Sequence, residues 1–281
     1  MRGKRSTLTQ APEWQALWPG PSPAQAEPLL KALHILTAEG RLNQDSRRKL
    51  KQVLHLHESI RRSLETAWEV TPDPLLADLG AGKSYLGLIL YDLLIGPSGK
   101  GSVTSIETRP ELNEAAARIA GQCGFKRMAF LTGAIGQVAL DRPVTAVTAL
   151  HACDTATDDA IAFALRHEAA LVVLVPCCQA EVARQLEAVR EHPLRQLWRH
   201  PIQRREFGSH ITNVIRALVL EAAGYKVRVT ELIGWEHSMK NELIIAERHQ
   251  RSNPQAQRQL DALLQQMPVR PLCARQLSVC N

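Results

Sequence analysis

The sequence predicts an α/β protein built on a doubly wound, mostly parallel sheet, and three observations predict it. The first is a short apolar run, Leu75-Leu76-Ala77-Asp78-Leu79, that enters Gly80-Ala81-Gly82 and then Tyr85-Leu86-Gly87-Leu88-Ile89-Leu90. Such a run, a glycine turn and apolar residues at helical spacing read as strand, turn, helix. The second is recurrence: brief apolar, strand-like runs return near 101–107, 126–131, 144–150 and 170–175. The third is what separates them, since helical patterns at 85–94, 110–120 and 156–167 alternate with those strands. Strand–helix alternation at this spacing implies parallel pairing, with ligands bound outside the carboxyl ends of the strands.

The elements follow in chain order. Residues 1–23 open with Arg2, Lys4 and Arg5, are rich in proline, and read as a loose arm. Leu29, Leu30, Leu33 and Leu36 make one helical stripe. From Asp45 to Trp68, apolar residues at 50, 53, 54, 56, 60, 64 and 67 sit among Arg47, Arg48, Lys49, Lys51, Arg61 and Arg62. Two packed helices capping the core are expected, with one cationic face. His55 and His57 are two apart and do not share a helix face, which argues against a metal pair. Beyond strand five, 211–223 is a helix ending at Gly224, and 227–233 with 242–246 form a closing pair of strands. A weak helix lies near 256–266. The chain divides into a basic arm and helical cap (1–70), an α/β domain (71–248) and a basic C-terminal tail (249–281).

At 281 residues and 45% hydrophobic, the chain is long enough for one α/β core and a small appendage. No apolar run approaches a membrane span and no secretory signal opens the chain, so a soluble, cytoplasmic protein is expected. Six cysteines (123, 153, 177, 178, 273, 280) show no small-scaffold spacing, and reduced thiols are the default. The net charge of +6 is uneven: residues 1–69 carry +4, 70–248 carry −1 and 249–281 carry +3. Basic flanks around a near-neutral core suit a polyanion gripped from outside and a small ligand in the middle.

Two ligands compete for the glycine turn. Gly80-Ala81-Gly82-Lys83-Ser84 matches the end of a phosphate-binding loop, G-x-x-x-x-G-K-[ST]. That loop needs a glycine where this chain has Ala77, and Asp78 would repel phosphate. The alternative is D-x-G-x-G, the first-strand turn of class I methyltransferases, whose cofactor S-adenosylmethionine carries an ammonium and a sulfonium that favour a nearby carboxylate. Glu107, about 25 residues past Gly82 at the tip of strand two with Thr108 beside it, has the spacing of a ribose-binding carboxylate. Gly133 and Ala134, after strand three, are placed to line an adenine pocket.

The ends of strands four and five gather the remaining chemistry. His151-Ala152-Cys153-Asp154 follows strand four and Pro176-Cys177-Cys178-Gln179 follows strand five. Asp154 or His151 would orient an acceptor or take its proton. Cys177 in Pro-Cys could be a nucleophile toward a pyrimidine, though such enzymes carry Pro-Cys after strand four. A zinc site lacks the C-x₂-C form, and buried thiols that merely pack remain a simpler account. The [DNS]-P-P-[YFW] motif of many amino-group methyltransferases is absent. From 184 to 216, seven arginines (184, 190, 195, 199, 204, 205, 216) mix with Trp198, Phe207, His192 and His200. That mixture suits phosphate and base contacts, or a solvated helix face. Arg204, Arg205, His210, Lys83 and Cys178, with Trp235, Lys240 and Asn241 of the polar loop 234–241, are candidate acceptor contacts.

The blocks Asp78-Leu79-Gly80-Ala81-Gly82-Lys83, His151-Ala152-Cys153-Asp154-Thr155-Ala156-Thr157-Asp158 and Pro176-Cys177-Cys178-Gln179 together resemble a methyltransferase-domain family. It includes eukaryotic methyltransferase-like proteins and, more distantly, the acceptor-stem tRNA 2′-O-methyltransferase. The resemblance covers about 45–247. It implies a seven-stranded class I methyltransferase sheet and S-adenosylmethionine as cofactor. It carries over Asp78, Gly80, Gly82 and Glu107, with Ala81 between them, as cofactor residues, and puts His151, Asp154, Cys177 and Cys178 at the pocket floor, His151 also near the cofactor. Asp154 and Gln179-Ala180 depart from the tRNA enzyme's glycine and histidines. The expected function is methyl transfer to ribosomal or transfer RNA. A protein or small-molecule methyltransferase, and an RNA-binding protein with a relic pocket, are the alternatives.

Overall fold

The computed structural model describes residues 13–150, 152, 154–176, 179–232 and 242–280, with side chains as far as 276. Three helices come first: α1 (Glu13–Leu17), α2 (Glu27–Ala32) and the long α3 (Gln44–Val70). Then β1 (Leu75–Leu79), α4 (Tyr85–Leu90, continued by a π-helical turn to Ile95), β2 (Ser102–Glu107), α5 (Pro110–Gln122) and β3 (Met128–Thr132) alternate. They are followed by β4 (Ala146–Leu150), α6 (Ala156–Arg166), β5 (Leu171–Val175), α7 (Glu181–Ala188), α8 (Pro201–Ala222), β6 (Tyr225–Glu231), β7 (Glu242–Arg248), α9 (Pro254–Gln266) and α10 (Leu272–Cys280). The seven strands form one sheet in the order β3-β2-β1-β4-β5-β7-β6. β1 to β5 pair in parallel, and β7 is antiparallel to both β5 and β6. This is the seven-stranded, mostly parallel architecture the sequence predicts, capped by an N-terminal helix.

Side-chain alternation along the strands assigns the two faces. Leu75, Ala77 and Leu79 of β1, with Val172 and Leu174 of β5, pack in a cluster that includes Phe163 of α6 and Ile215 and Val219 of α8. Leu76 of β1 and Val173 and Val175 of β5 turn the other way, toward Leu56, Ile60 and Leu64 of α3 and Leu86 and Leu90 of α4. Asp78 is in phase with Leu76, so its carboxyl points toward α3 and α4.

Several elements differ from expectation. The supposed loose arm is packed from Glu13 onward: Trp14 and Trp18 are buried with Leu29, Leu30 and Leu88, and Trp18 Nε1 donates to Asp92 Oδ2 at 3.0 Å. Indole burial outweighs the helix-breaking prolines there. Helix α8 begins ten residues before the expected 211, because Pro201 sits at its first position, where a missing N–H costs nothing. The C-terminal stretch holds a second helix, α10, and Cys273 and Ala274 join the α6–α8 cluster with Leu260 of α9. None of the described helices is long and apolar enough to cross a membrane.

Helix α8 also carries a buried polar face. Arg216, 1% exposed, donates through Nε to Asp158 Oδ1 at 2.6 Å, and Asp158 is equally buried. Arg216 Nη2 donates to the Asp154 carbonyl at 2.7 Å and Nη1 to Asn213 Oδ1 at 3.1 Å. Asn213 donates to Glu242 Oε2 at 2.6 Å, and Gln179, which accepts from Ser209 Oγ at 2.6 Å, donates to Asn213 Oδ1. One helix thus ties down the chain after β4, after β5 and at the start of β7. Arg216, counted in the sequence among the arginines facing a polyanion, is spent inside the fold. Arg216→Met is expected to lower stability by roughly 3–5 kcal/mol, since it strands a buried carboxylate. Adding Asp158→Asn should recover a large part of that loss, and a double-mutant cycle by urea denaturation measures it.

Candidate active site

The site starts from strand register. Asp78 of β1 stands beside Ser105 of β2 on one side and Thr148 of β4 on the other. Thr148 Oγ1 donates to Asp78 Oδ1 at 2.8 Å, and the Gly87 N–H and Ser84 Oγ donate to Oδ2 at 3.2 and 3.4 Å. Ser84 is fully buried in the left-handed region at φ +53°, its Oγ 2.5 Å from Ser105 Oγ. The hydroxyl a phosphate loop would offer to a metal ion is therefore turned into the fold, which argues against the nucleoside-triphosphate reading. Gly87 must be glycine: a Cβ there would lie 2.6 Å from Ser84 Oγ and 3.0 Å from Asp78 Oδ2.

The turn above the carboxylate is strained in the manner glycine permits, with φ of +61° at Gly80 and +57° at Gly82. A Cβ built on Gly82 meets nothing within 4 Å. The turn opens onto a cavity of about 410 Å³, within the ~300–1,000 Å³ range of cofactor and small-molecule sites. Asp78, Gly80, Ala81 and Gly82 line it together with Tyr85, Leu86, Ile89 and Leu90 of α4. Its far wall is α3, through Lys49, Gln52, Val53, Leu56 and His57, and Leu150, Leu232 and Arg109 close it.

Glu107 reaches this cavity through its neighbours. Its Oε2 accepts the Gly82 N–H at 2.8 Å, and its Oε1 accepts Thr108 Oγ1, the Arg109 N–H and Arg109 Nε, the last at 2.9 Å. Glu107 is 4% exposed, while the Arg109 side chain that covers it is 61% exposed. Gly133 and Ala134 sit beside Glu107, the Gly133 N–H donating to the Glu107 carbonyl at 3.1 Å, but neither lines the cavity.

The two carboxyls are tuned in opposite directions. Burial pushes Asp78 up to about 6, against the pull of its hydrogen bonds from Thr148, Gly87 and Ser84. Burial also acts on Glu107, but the donors Arg109, Gly82 and Thr108 outweigh it and bring that group down to about 2.

Asp154 occupies the left-handed region at φ +52° and uses both oxygens structurally. Oδ1 accepts the Ala180 and Glu181 N–H groups at the start of α7, and Oδ2 accepts Arg184 Nη2 at 2.9 Å. Burial raises its pKa, and these donors more than offset that, holding it below the ordinary carboxylate range. Such a carboxylate is a weak proton acceptor near neutrality. The expected acceptor contacts are dispersed. Arg204 pairs with Glu187 at 2.8 Å, Arg205 with Glu206 at 3.0 Å, and His210 lies 3.7 Å from Glu242. Lys83 is exposed and does not line the cavity. His151, Cys153, Cys177, Cys178, Trp235, Lys240 and Asn241 lie outside the described residues. Among those described, no cluster of three His, Cys, Asp or Glu side chains could hold a metal ion.

Sequence reasoning missed the α3 wall. Val53 and Leu56 read as core stripe, and His57 was weighed only as half of a metal pair with His55. Apolar periodicity reports that a face is covered but not whether protein or a ligand covers it.

The residues present fit S-adenosylmethionine: two carboxyls flank a turn whose backbone is open to close approach, and the cavity beside it is part apolar. A family model agrees. Residues 48–185, just under half of the chain, match a family model described as a methyltransferase domain. No curated protein matches the chain. Among solved structures, an rRNA methylase from Streptococcus thermophilus aligns with a TM-score of 0.44 at 10% identity, covering 68% of this chain and 96% of that one. The SAH-bound Podospora anserina methyltransferase PaMTH1 aligns at 0.46 and 11%, covering 80% and 88%. The precorrin-6y C5,15-methyltransferase of Geobacter metallireducens aligns at 0.42 and 15%, covering 68% and 88%. Over residues 48–185 this chain carries a class I S-adenosylmethionine-dependent methyltransferase domain.

Proposed function

We propose that this methyltransferase acts on RNA, ribosomal or transfer, and that the Asp78–Glu107 turn holds its cofactor. S-adenosylmethionine supplies the methyl group, carried on its sulfonium. Asp78 and the N–H groups of the turn hold the amino-acid end, Glu107 with Thr108 beside it the ribose, and Gly133 with Ala134 the adenine. Arg109 covers Glu107 and must swing aside for a ribose; its exposure leaves it free to do so. Asp154, engaged at the start of α7, holds the loop after β4 in place, and His151 in that loop takes the acceptor's proton. Cys177 and Cys178 extend the acceptor floor, and Trp235, Lys240 and Asn241 complete it.

The observation that carries the cofactor assignment is the buried Asp78 carboxyl beneath two positive-φ glycines at the mouth of the cavity. RNA is supported by the basic flanks, +4 before residue 70 and +3 after 248. A small-molecule or protein acceptor is the second reading, favoured by the ion pairs that neutralise Arg184, Arg204 and Arg205. Mass spectrometry of nucleosides from parent and deletion cells decides: the RNA reading expects one methylated nucleoside to vanish from rRNA or tRNA, and identical profiles would sink it. Binding to RNA should weaken steeply between low and moderate salt.

Asp78 generates two further expectations. Its folded pKa of about 6 lies above the reference 3.8, so its contribution to stability is present below about 3.8 and is lost as pH rises through about 6. Asp78→Asn should therefore leave stability at pH 7 equal or higher, while calorimetry shows S-adenosylhomocysteine affinity down about tenfold or more. The second concerns the wild-type protein. Affinity for a cationic amino-acid group should fall as pH drops through about 6, where the carboxyl takes up its proton. Affinity that stays flat from pH 7 to 5 would remove Asp78 from the ligand's contacts.

A further inference from the structure

The cavity extends away from the residues assigned to the adenosine. Glu107, Gly133 and Ala134 do not line it, whereas five residues of α3 do. Beyond the glycine turn, its space is bounded by Val53 and Leu56 of α3, by Leu86, Ile89 and Leu90 of α4, and by Leu150 at the carboxyl end of β4. Most of these are aliphatic side chains on two different helices. Polar groups occur at few points: His57 and Gln52 on α3, Tyr85 on α4 and Lys49 at the rim. Lys49 is exposed, its ammonium 3.4 Å from the His34 carbonyl, and it forms no ion pair with a described carboxylate. The His57 ring makes no hydrogen bond with a described residue and is half-buried.

We propose that this chamber between α3 and α4 is the acceptor subsite, and that it takes a single nucleobase turned out of its stack. It rests on the RNA reading above. A cavity with aliphatic side chains on two facing helices offers apolar contact to the two faces of a heterocyclic ring, and scattered polar groups match its edge. A ribose hydroxyl, which lies on the outside of an RNA strand, has no need of such depth. The His57 ring accepts from or donates to the base edge, Tyr85 faces it from α4, and Lys49 meets the flanking phosphate. The charged groups facing His57 are Arg61, Glu58 and Glu65 on α3 itself, with Asp78, Tyr85 and Arg109 across the cavity. Burial and Arg61 keep the His57 ring neutral at pH 7, so one nitrogen remains an acceptor.

Two measurements test the chamber. Ribosomal and transfer RNA from cells lacking the gene are irradiated with the protein under short-wave ultraviolet, and nucleotide adducts are mapped by mass spectrometry. Adducts at Lys49, Gln52, His57 or Tyr85 are expected. Adducts confined to 184–205 would overturn the chamber while leaving the RNA reading intact, and no adduct anywhere would remove both. Val53→Phe fills the slot from α3. It should lower methyl incorporation into the same RNA about tenfold or more, with S-adenosylhomocysteine binding held within about threefold. Unchanged incorporation, or cofactor binding lost in parallel, would overturn the assignment. If circular dichroism shows that Val53→Phe does not fold, His57→Gln is read by the same pair of assays.

Discussion

A single buried carboxyl organises the centre of this molecule. Asp78 accepts from Thr148 on the neighbouring strand, from Ser84 in the turn and from the Gly87 N–H in the first turn of α4. Three elements are thereby locked to one point: β1, β4 and α4. The arrangement follows from parallel register, which sets Ser105 and Thr148 on either side of Asp78 on the same face of the sheet. Each of these polar groups is buried, and each is satisfied by another, as burial in a low-dielectric interior requires. The glycine turn sits directly above this cluster and inherits its rigidity.

The site that results is asymmetric. On one side Glu107 is strongly acidic, because Gly82, Thr108 and Arg109 all donate to it. On the other, Asp78 sits nearer neutrality because desolvation dominates. The two carboxyls on either side of the turn therefore differ in character. The same fold separates its arginines by task. Arg216 is fully internal, Arg184 and Arg204 are tied to carboxylates, and Arg109 stands at the cavity wall.

The buried face of α8 ties down the loops on its side of the sheet as Asp78 ties down β1, β4 and α4 on the other. Ser209, Asn213 and Arg216 recur at helical spacing and reach the chain after β4, after β5 and at the start of β7. Those three connections surround the carboxyl end of the sheet, where open α/β sheets place their chemistry. Asp154 adds a second tie, joining the β4 connection to the start of α7 through its side chain.

Local pattern made much of this legible. Each strand of the sheet is a short run bounded by turn residues, and the glycines of the first turn and Glu107 stood out because strand, turn and helix are contiguous in sequence. What contiguity supplies is the identity of the elements, the position of Asp78 in β1 and the likeness to a methyltransferase domain. Tertiary structure decided everything that depends on distance along the chain. Val53, Leu56 and His57 become walls of the cavity only because α3 folds across α4, some thirty residues later. Arg216 became internal because Asp158, fifty-eight positions away, is its partner. Asp154 was spent on α7 because the two loops meet in space. A sequence records which groups a chain owns, and burial and pairing then select which of them still face a ligand.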